Sequence, residues 1–537
     1  MCVATLAFVG SPLTGQAVGS GDGVAVQYYF SGAAALAADA NFQQAKAILS
    51  TPAAKGFRNF VLDRLTGVYG KGLQLDPGPG TANALRPMLE DLLQAESAGS
   101  FGGRDTNRIG FVLAAKLDAK ASASWEKNLE TALHGKGEAL TEEGFSGERW
   151  KRAGKTSLWL LRARDWTLAG LGDDLASVRA EYLRNIKKDN RPTPLSDSWL
   201  SASVDWPMLA TWAPLSSCPL KLARTTVEVT AAKGRMRAVA HVSYPQAVAW
   251  KAEPWHIPKG LVGGPLSSFT AARDLSPYLN SSDVLSRLSN NPLPGQIYCW
   301  ALRAMAMESY AAWPVTDATN VLQKLGTEAP PVLNPILEAR DHTHLNWSPQ
   351  KNQLLWIGMP ATDPILQAAH DASGDFLLAK VFPLPADVVP APAQLFSQFE
   401  GRDDLIYYDW ELTGLRLQQW RLLSELLPIF PSSTYQDSGY FKQTKQAGKP
   451  GNKPKPLPNS LIVAESWLAS MTLPPGNTVT EVTRTSPSEL TVIRNSQFLF
   501  TGLEWVLLSH WLADAPVGPV DLSLLPRAKI TGPGMPH

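Results

Sequence analysis

The sequence predicts an α+β chain made by tandem duplication of one module, each copy a mixed or antiparallel sheet covered by helices. Three observations lead there. Runs of strand-like sequence repeatedly lead into helical patterns that begin with a capping residue. Two segments alternate with period two and turn back on themselves, as hairpins with one buried face do. Short landmarks recur in the same order in the two halves of the chain.

The landmarks begin with Phe30-Ser31-Gly32-Ala33 and Leu36, echoed by Phe269-Thr270-Ala271-Ala272 and Leu275. Ser203-Val204-Asp205-Trp206 is then echoed by Tyr407-Tyr408-Asp409-Trp410. Each copy closes on a hairpin. The first runs from Thr226, turns at Lys233-Gly234 and returns through Arg235 to Val242; the second runs from Thr478 to Thr483, turns at Ser486-Pro487-Ser488 and returns to Arg494. The spacings require about 35 extra residues in the first copy, which a surface insertion absorbs at small entropic cost. The polar, Gly-rich stretch 135–154 is expected to hold part of it. The expected domains are a leader segment at 1–20, a first module at 21–250, a linker at 251–264, a second module at 265–512 and an extended Pro/Gly-rich tail at 513–537.

Within the modules, Ile109 to Leu117 reads as a strand, followed by Asp118 and a helix over Ser122 to His134. Trp166 to Gly170 reads as a strand before a helix from Asp173 to Ile186, with Asp173 as its cap. Leu354 to Met359 precedes Thr362-Asp363-Pro364, a cap and first-turn proline for a helix reaching His370. Leu405 to Trp410 leads to a helix over Leu415 to Leu427, with Leu415, Leu422, Leu423 and Leu426 on its apolar face. Pro254, Pro258, Gly260, Gly263, Gly264 and Pro265 forbid regular structure in the linker. Gln443 to Asn459, with four lysines among prolines, reads as a solvated extended loop, the alternative being a basic polyproline II ligand.

The 537 residues are too many for one core; 44% are apolar and 18% charged, a globular composition. With 49 basic against 48 acidic side chains, there is no overall drive toward nucleic acid. No apolar run is long enough for a transmembrane helix. The apolar stretch Cys2 to Gly10, followed by Gly15-Gln16-Ala17, suits a secretory leader and points to an extracytoplasmic protein, periplasmic or secreted. If the leader is removed, Cys218 and Cys299 allow at most one disulfide, and both suit small buried positions.

Motifs of chemistry are sparse. Gly154-Lys155-Thr156 lacks the earlier glycine of a phosphate-binding loop, Arg149 standing there, and it runs into a strand. His342 and His344 would share one side of an extended segment, the only candidate metal ligands, but a recognisable third ligand is missing; His370-Asp371 is the nearest pair of ligand type. Asp205 and Asp409 precede apolar helical stretches and read as caps before they read as catalytic groups. No catalytic or cofactor-binding residue is marked, and no cofactor is expected. Among the 18 tryptophans, Trp250, Trp255, Trp300 and Trp313 are the candidates for a sugar- or peptide-stacking platform.

The Phe30 landmark, the strand and helix Ile109 to Leu133 and the strand pair Leu158 to Gly170 resemble poorly characterised exported bacterial proteins, grouped as domains of unknown function. That resemblance covers about the first 250 residues and implies an extracytoplasmic, non-enzymatic role. The expected function is therefore a non-catalytic binding or scaffolding protein of the bacterial cell envelope or periplasm, with a protein or glycan partner. The competing expectation is a hydrolase, glycan-directed or metal-dependent, whose active site the sequence does not mark.

Overall fold

A computed structural model describes residues 23–513, apart from 74, 77, 104–108, 153, 194–197, 213–222, 233, 249–252, 276–294, 307, 342, 360–361, 384–388, 427–458 and 472–475. The chain is α+β, with large antiparallel sheet and twelve helices among the described residues. It divides into two compact units.

The first unit is built on ten strands of the N-terminal half: β1 (Val24–Phe30), β2 (Ser97–Gly103), β3 (Ile109–Lys116), β4 (Glu138–Glu142), β5 (Phe145–Arg152), β6 (Lys155–Ala163), β7 (Trp166–Leu171), β8 (Leu200–Asp205), β9 (Arg224–Ala232) and β10 (Arg235–Ser243). They pair antiparallel in the order β4-β5-β6-β7-β3-β2-β1-β8-β9-β10. Between β1 and β2 run α1 (Ala33–Ala38), α2 (Gln43–Leu49), α3 (Pro52–Gly72) and α4 (Pro79–Gln94). The later helices are α5 (Ala119–Ala132), α6 (Ala176–Asp189) and α7 (Trp206–Trp212). Alternation in the strands gives the sheet two apolar faces. Ala98, Val112, Ala114, Leu161 and Leu168 face α6 through Val178, Tyr182, Leu183 and Ile186. Ala115, Leu158, Leu160 and Ala169 face α4 and α5 through Leu85, Met88, Trp125 and Leu129.

The second unit repeats the use of hairpins. Its strands are β11 (Gly263–Gly264), β12 (Leu266–Arg273), β13 (Gln296–Leu302), β14 (Ser309–Val315), β15 (His344–Ser348), β16 (Gln353–Ile357), β17 (Ile365–Asp371), β18 (Gly374–Lys380), β19 (Val389–Pro390), β20 (Leu405–Leu412) and β21 (Asn477–Ser486). The main sheet runs β15-β16-β17-β18-β14-β13-β12-β20-β21, all antiparallel, while β11 and β19 form a two-residue ladder of their own. Its helices are α8 (Ala318–Asp341), α9 (Ala393–Phe396), α10 (Thr413–Leu426), α11 (Asn459–Ser470) and α12 (Gly502–Leu512). One sheet face carries Phe269, Tyr298, Trp300, Tyr310, Phe376 and Tyr408 under Ile257, Val262, Phe396 and Phe399. On the other face, Leu377 and Trp313 pack against Ala318 and Leu322 of α8. A last strand, β22 (Glu489–Ser496), belongs to the first unit, where it pairs antiparallel with β10 along its whole length.

Several expectations change. The segment from Glu253 is not a bare linker, because Ile257 and Val262 are buried in the second unit's core. The second hairpin's return strand sits in the first unit, so neither unit is one continuous stretch. Within the stretch expected to hold inserted residues, Glu138–Glu142 and Phe145–Arg152 pair as the β4–β5 hairpin; the first unit also carries a long excursion, the four helices between β1 and β2. Thr362 to His370 is not a helix: Ile365–Asp371 is strand β17, held by β16 and β18, and cross-strand pairing outweighs the local proline signal. Helix α6 begins at Ala176 with Leu175 as its cap residue, while the Asp173 carboxylate accepts from Arg149 and Arg179. Helix α10 buries Arg416, Leu417 and Gln419 and exposes Leu422, so its inward face is largely polar. Asp118 does cap α5, accepting from the Ala121 N–H at 2.7 Å. The leader, Cys2, Cys218, Trp250, His342, residues 443–458 and the tail after Ala513 lie outside the described residues.

Candidate functional site

An apolar cavity of about 500 Å³ lies in the first unit, between α3, α4 and α5 and the strands beneath them. Its walls follow from helical periodicity. Leu62, Leu65 and Tyr69 form one stripe on α3, continued by Leu73 just past its end, and Leu85, Met88, Leu89 and Leu92 form another on α4. Trp125 and Leu129 close the α5 side, where the Trp125 indole N–H donates to Asp91 on α4 at 2.9 Å and ties the two helices together. Val68, half exposed, places the cavity's α3 wall at the surface.

The floor includes Val26, Tyr28, Gly99, Phe101, Phe111, Leu113 and Leu158. Tyr28 pairs with Gly99 across β1 and β2, and a Cβ on Gly99 would come within 2.4 Å of the Tyr28 ring. A glycine is thus required at this position for the phenol to lie over β2. Its hydroxyl hydrogen-bonds with Ser97 and lies near that of Tyr69. Burial raises the ionisation of Tyr28 far above the phenol range and pushes Tyr69 up to about 12, so these hydroxyls remain neutral. None of the described lining residues is Asp, Glu, His, Lys or Arg. The neighbouring Arg152 guanidinium donates to the backbone carbonyls of Leu73 and Thr156.

A second cluster, of opposite character, lies on the sheet of the second unit. Asp409 and Glu411 are two positions apart on β20 and therefore share a face. Asp409 accepts from the Thr270 hydroxyl at 2.6 Å, and Glu411 from the Gly502 N–H at the start of α12 at 2.8 Å. Burial pushes the Glu411 carboxyl up to about 7, although the Gly502 bond opposes the shift. Arg416 donates to Gln419 at 2.7 Å, and Gln419 donates in turn to the Leu302 carbonyl at 3.0 Å. Glu411 is only 5% exposed and is bound to helix backbone, so the cluster reads as an internal polar joint between strand and helices.

The residues singled out from sequence are scattered. Asp205 caps α7, accepting from the Met208 N–H at 3.0 Å, and also binds Arg224 at 2.8 Å. Asp409 is not a cap, since it lies inside β20 before α10 begins. His344 sits on β15 opposite Ile357. His370 bonds Asp375 at 2.6 Å, holding that carboxyl below its ordinary range, while Asp371 accepts from the Gly260 N–H. Among the described residues no group of three or more His, Cys, Asp or Glu is placed to hold a metal. Cys299 is a free thiol, and burial, aided by the Asp409 charge, pushes it up to about 11, which leaves it protonated and unreactive. Trp255 packs on Phe399 and Tyr298, and Trp300 stacks on Tyr310, so neither is a sugar platform. Trp313, partly buried, packs beside α8.

The cavity escaped sequence reasoning, though its signal was present in the 3.6-residue spacing of the α3 and α4 stripes. Comparison with protein-family models and with curated proteins finds no match for this chain. Among the described residues no helix is long and apolar enough to cross a membrane.

Proposed function

We propose that this chain is a non-catalytic binding protein of the bacterial cell envelope or periplasm, whose first unit takes up an apolar small molecule. The cavity carries the proposal. Protein interiors are close-packed, with few voids larger than a water molecule. A pocket of about 500 Å³ that is walled by apolar side chains and reaches the surface at Val68 lies within the size range of small-molecule sites, and an apolar occupant would remove those walls from water. Export rests on the leader-like sequence of the first 17 residues.

The duplication is part of the same proposal. Strand order supports it: β4-β5-β6-β7-β3-β2-β1-β8-β9 in the first unit reads the same, element for element, as β15-β16-β17-β18-β14-β13-β12-β20-β21 in the second. A helix follows the third strand in each, and another follows β8 and β20. The landmark residues fall on corresponding strands but in different register. Phe30 pairs with Leu200 at the end of β1, whereas Phe269 pairs with Trp410, beside Asp409, in the middle of β12.

Binding is tested with Nile red, an uncharged apolar dye, titrated into the full chain. A saturable fluorescence rise is expected at one dye per chain. Leu92→Trp should fill the cavity and abolish that rise while leaving the thermal midpoint unchanged or higher. A folded Leu92→Trp protein that binds the dye as well as the parent would remove the support for this reading.

A further inference from the structure

Resting on the reading of the cavity as a binding site, we infer that its ligand is an uncharged, single-chain lipid-like molecule whose one oxygen-bearing end meets the hydroxyls of Tyr28, Tyr69 and Ser97. Size is the first constraint. A cavity of about 150 Å³ accommodates benzene, so one of about 500 Å³ takes about 20 non-hydrogen atoms. That matches a chain of about 16 carbons with a small polar end. Charge is the second constraint. The described lining offers no cation to a carboxylate or phosphate and no anion to an amine. An ion buried there would lose its hydration without a partner. Arg152, the adjacent guanidinium, is absent from the described lining and directs one N–H from each of its three nitrogens at the Leu73 and Thr156 carbonyls. The third constraint is the position of the polar groups. Tyr28 and Ser97 are hydrogen-bonded on the floor, with the Tyr69 hydroxyl of α3 nearby, while the α4 and α5 walls are apolar along their length. Hydroxyls both donate and accept, so they serve an alcohol or a carbonyl oxygen equally well.

The test compares 1-hexadecanol with hexadecanoate as displacers of Nile red from the full chain at pH 8, where the acid is ionised. The alcohol is expected to displace at a concentration at least about tenfold lower, because only the acid must bury a charge. Tyr69→Phe and Ser97→Ala should each weaken the alcohol by about 2- to 10-fold, the range of a lost neutral hydrogen bond, once displacement is corrected for each variant's own Nile red affinity. Equal or tighter displacement by hexadecanoate overturns the uncharged-ligand inference while leaving the cavity a binding site. Tighter alcohol binding that neither variant weakens overturns the placement of the oxygen. Failure of both compounds and of Nile red to bind overturns the binding reading itself.

Discussion

Glu411 shows how one residue can set a pH dependence. Its folded-state ionisation is raised from 4.5 to about 7, chiefly by burial. A raised carboxyl favours the protonated form in the folded chain, so its contribution is complete below the unfolded value and is lost as pH climbs through the folded one. The second unit should therefore lose stability between about pH 4.5 and pH 7.5. Glu411→Gln keeps an acceptor for the Gly502 N–H and removes the charge. At pH 8 it should stabilise the chain by on the order of 2–3 kcal/mol, with the difference vanishing near pH 4. Urea unfolding at both pH values checks this, and parallel profiles for parent and variant would show that Glu411 is not the group responsible. Single-residue chemistry was legible from sequence only where it was local. Asp118 and Asp205 cap the helices that follow them, whereas Asp409, followed like Asp205 by a tryptophan, is held by Thr270 on another strand.

At the scale of elements, β2 decides the shape of the cavity. Its Ser-Ala-Gly-Ser-Phe-Gly-Gly sequence has little β-propensity and holds as a strand because β1 and β3 pair along both edges. The Gly99 position admits the Tyr28 ring, so Gly99→Ala should displace that ring, cost about 1–3 kcal/mol and weaken Nile red binding. Denaturant unfolding and dye titration measure the two effects, and unchanged binding would mean that Tyr28 does not shape the site. The β9–β10 hairpin and the β6–β7 pair were readable because alternation and a tight turn are written in adjacent residues. Strand β17 was not, since Thr362-Asp363-Pro364 can open a helix as well as a strand and only pairing with β16 and β18 decides. Of the cavity, only the α3 and α4 stripes were written in local spacing; its floor comes from strands between Val26 and Leu171 that no local window joins to those helices.

At the scale of the whole molecule, the α+β class was legible from the alternation of strand and helix patterns, while the division of the chain was not. A boundary drawn by composition at 251–264 misses that Ser488–Leu499 belongs with the first unit. Strand β22 is paired with β10 over eight residues, from Met236 with Ser496 to Ser243 with Glu489. A proline at Ile493, opposite Val239, should break that ladder. Hydrogen exchange of β10 amides is expected to quicken in Ile493→Pro by at least about tenfold, as an interior strand becomes an edge. Unaltered protection of β10 would show that the first unit does not depend on β22.

The late arrival of β22 also imposes a timetable on biosynthesis. Roughly 250 residues separate the end of β10 from the strand that covers it, and at about 5–20 residues per second a ribosome needs roughly 12–50 s to make them. Throughout that interval the nascent first unit presents β10 as an open edge, with Met236, Ala238, Val239, Ala240 and Val242 along it. Stalling or early termination in that window would leave neighbouring nascent chains able to pair through this edge, so the chain's exposure to aggregation is concentrated before its last strand is made.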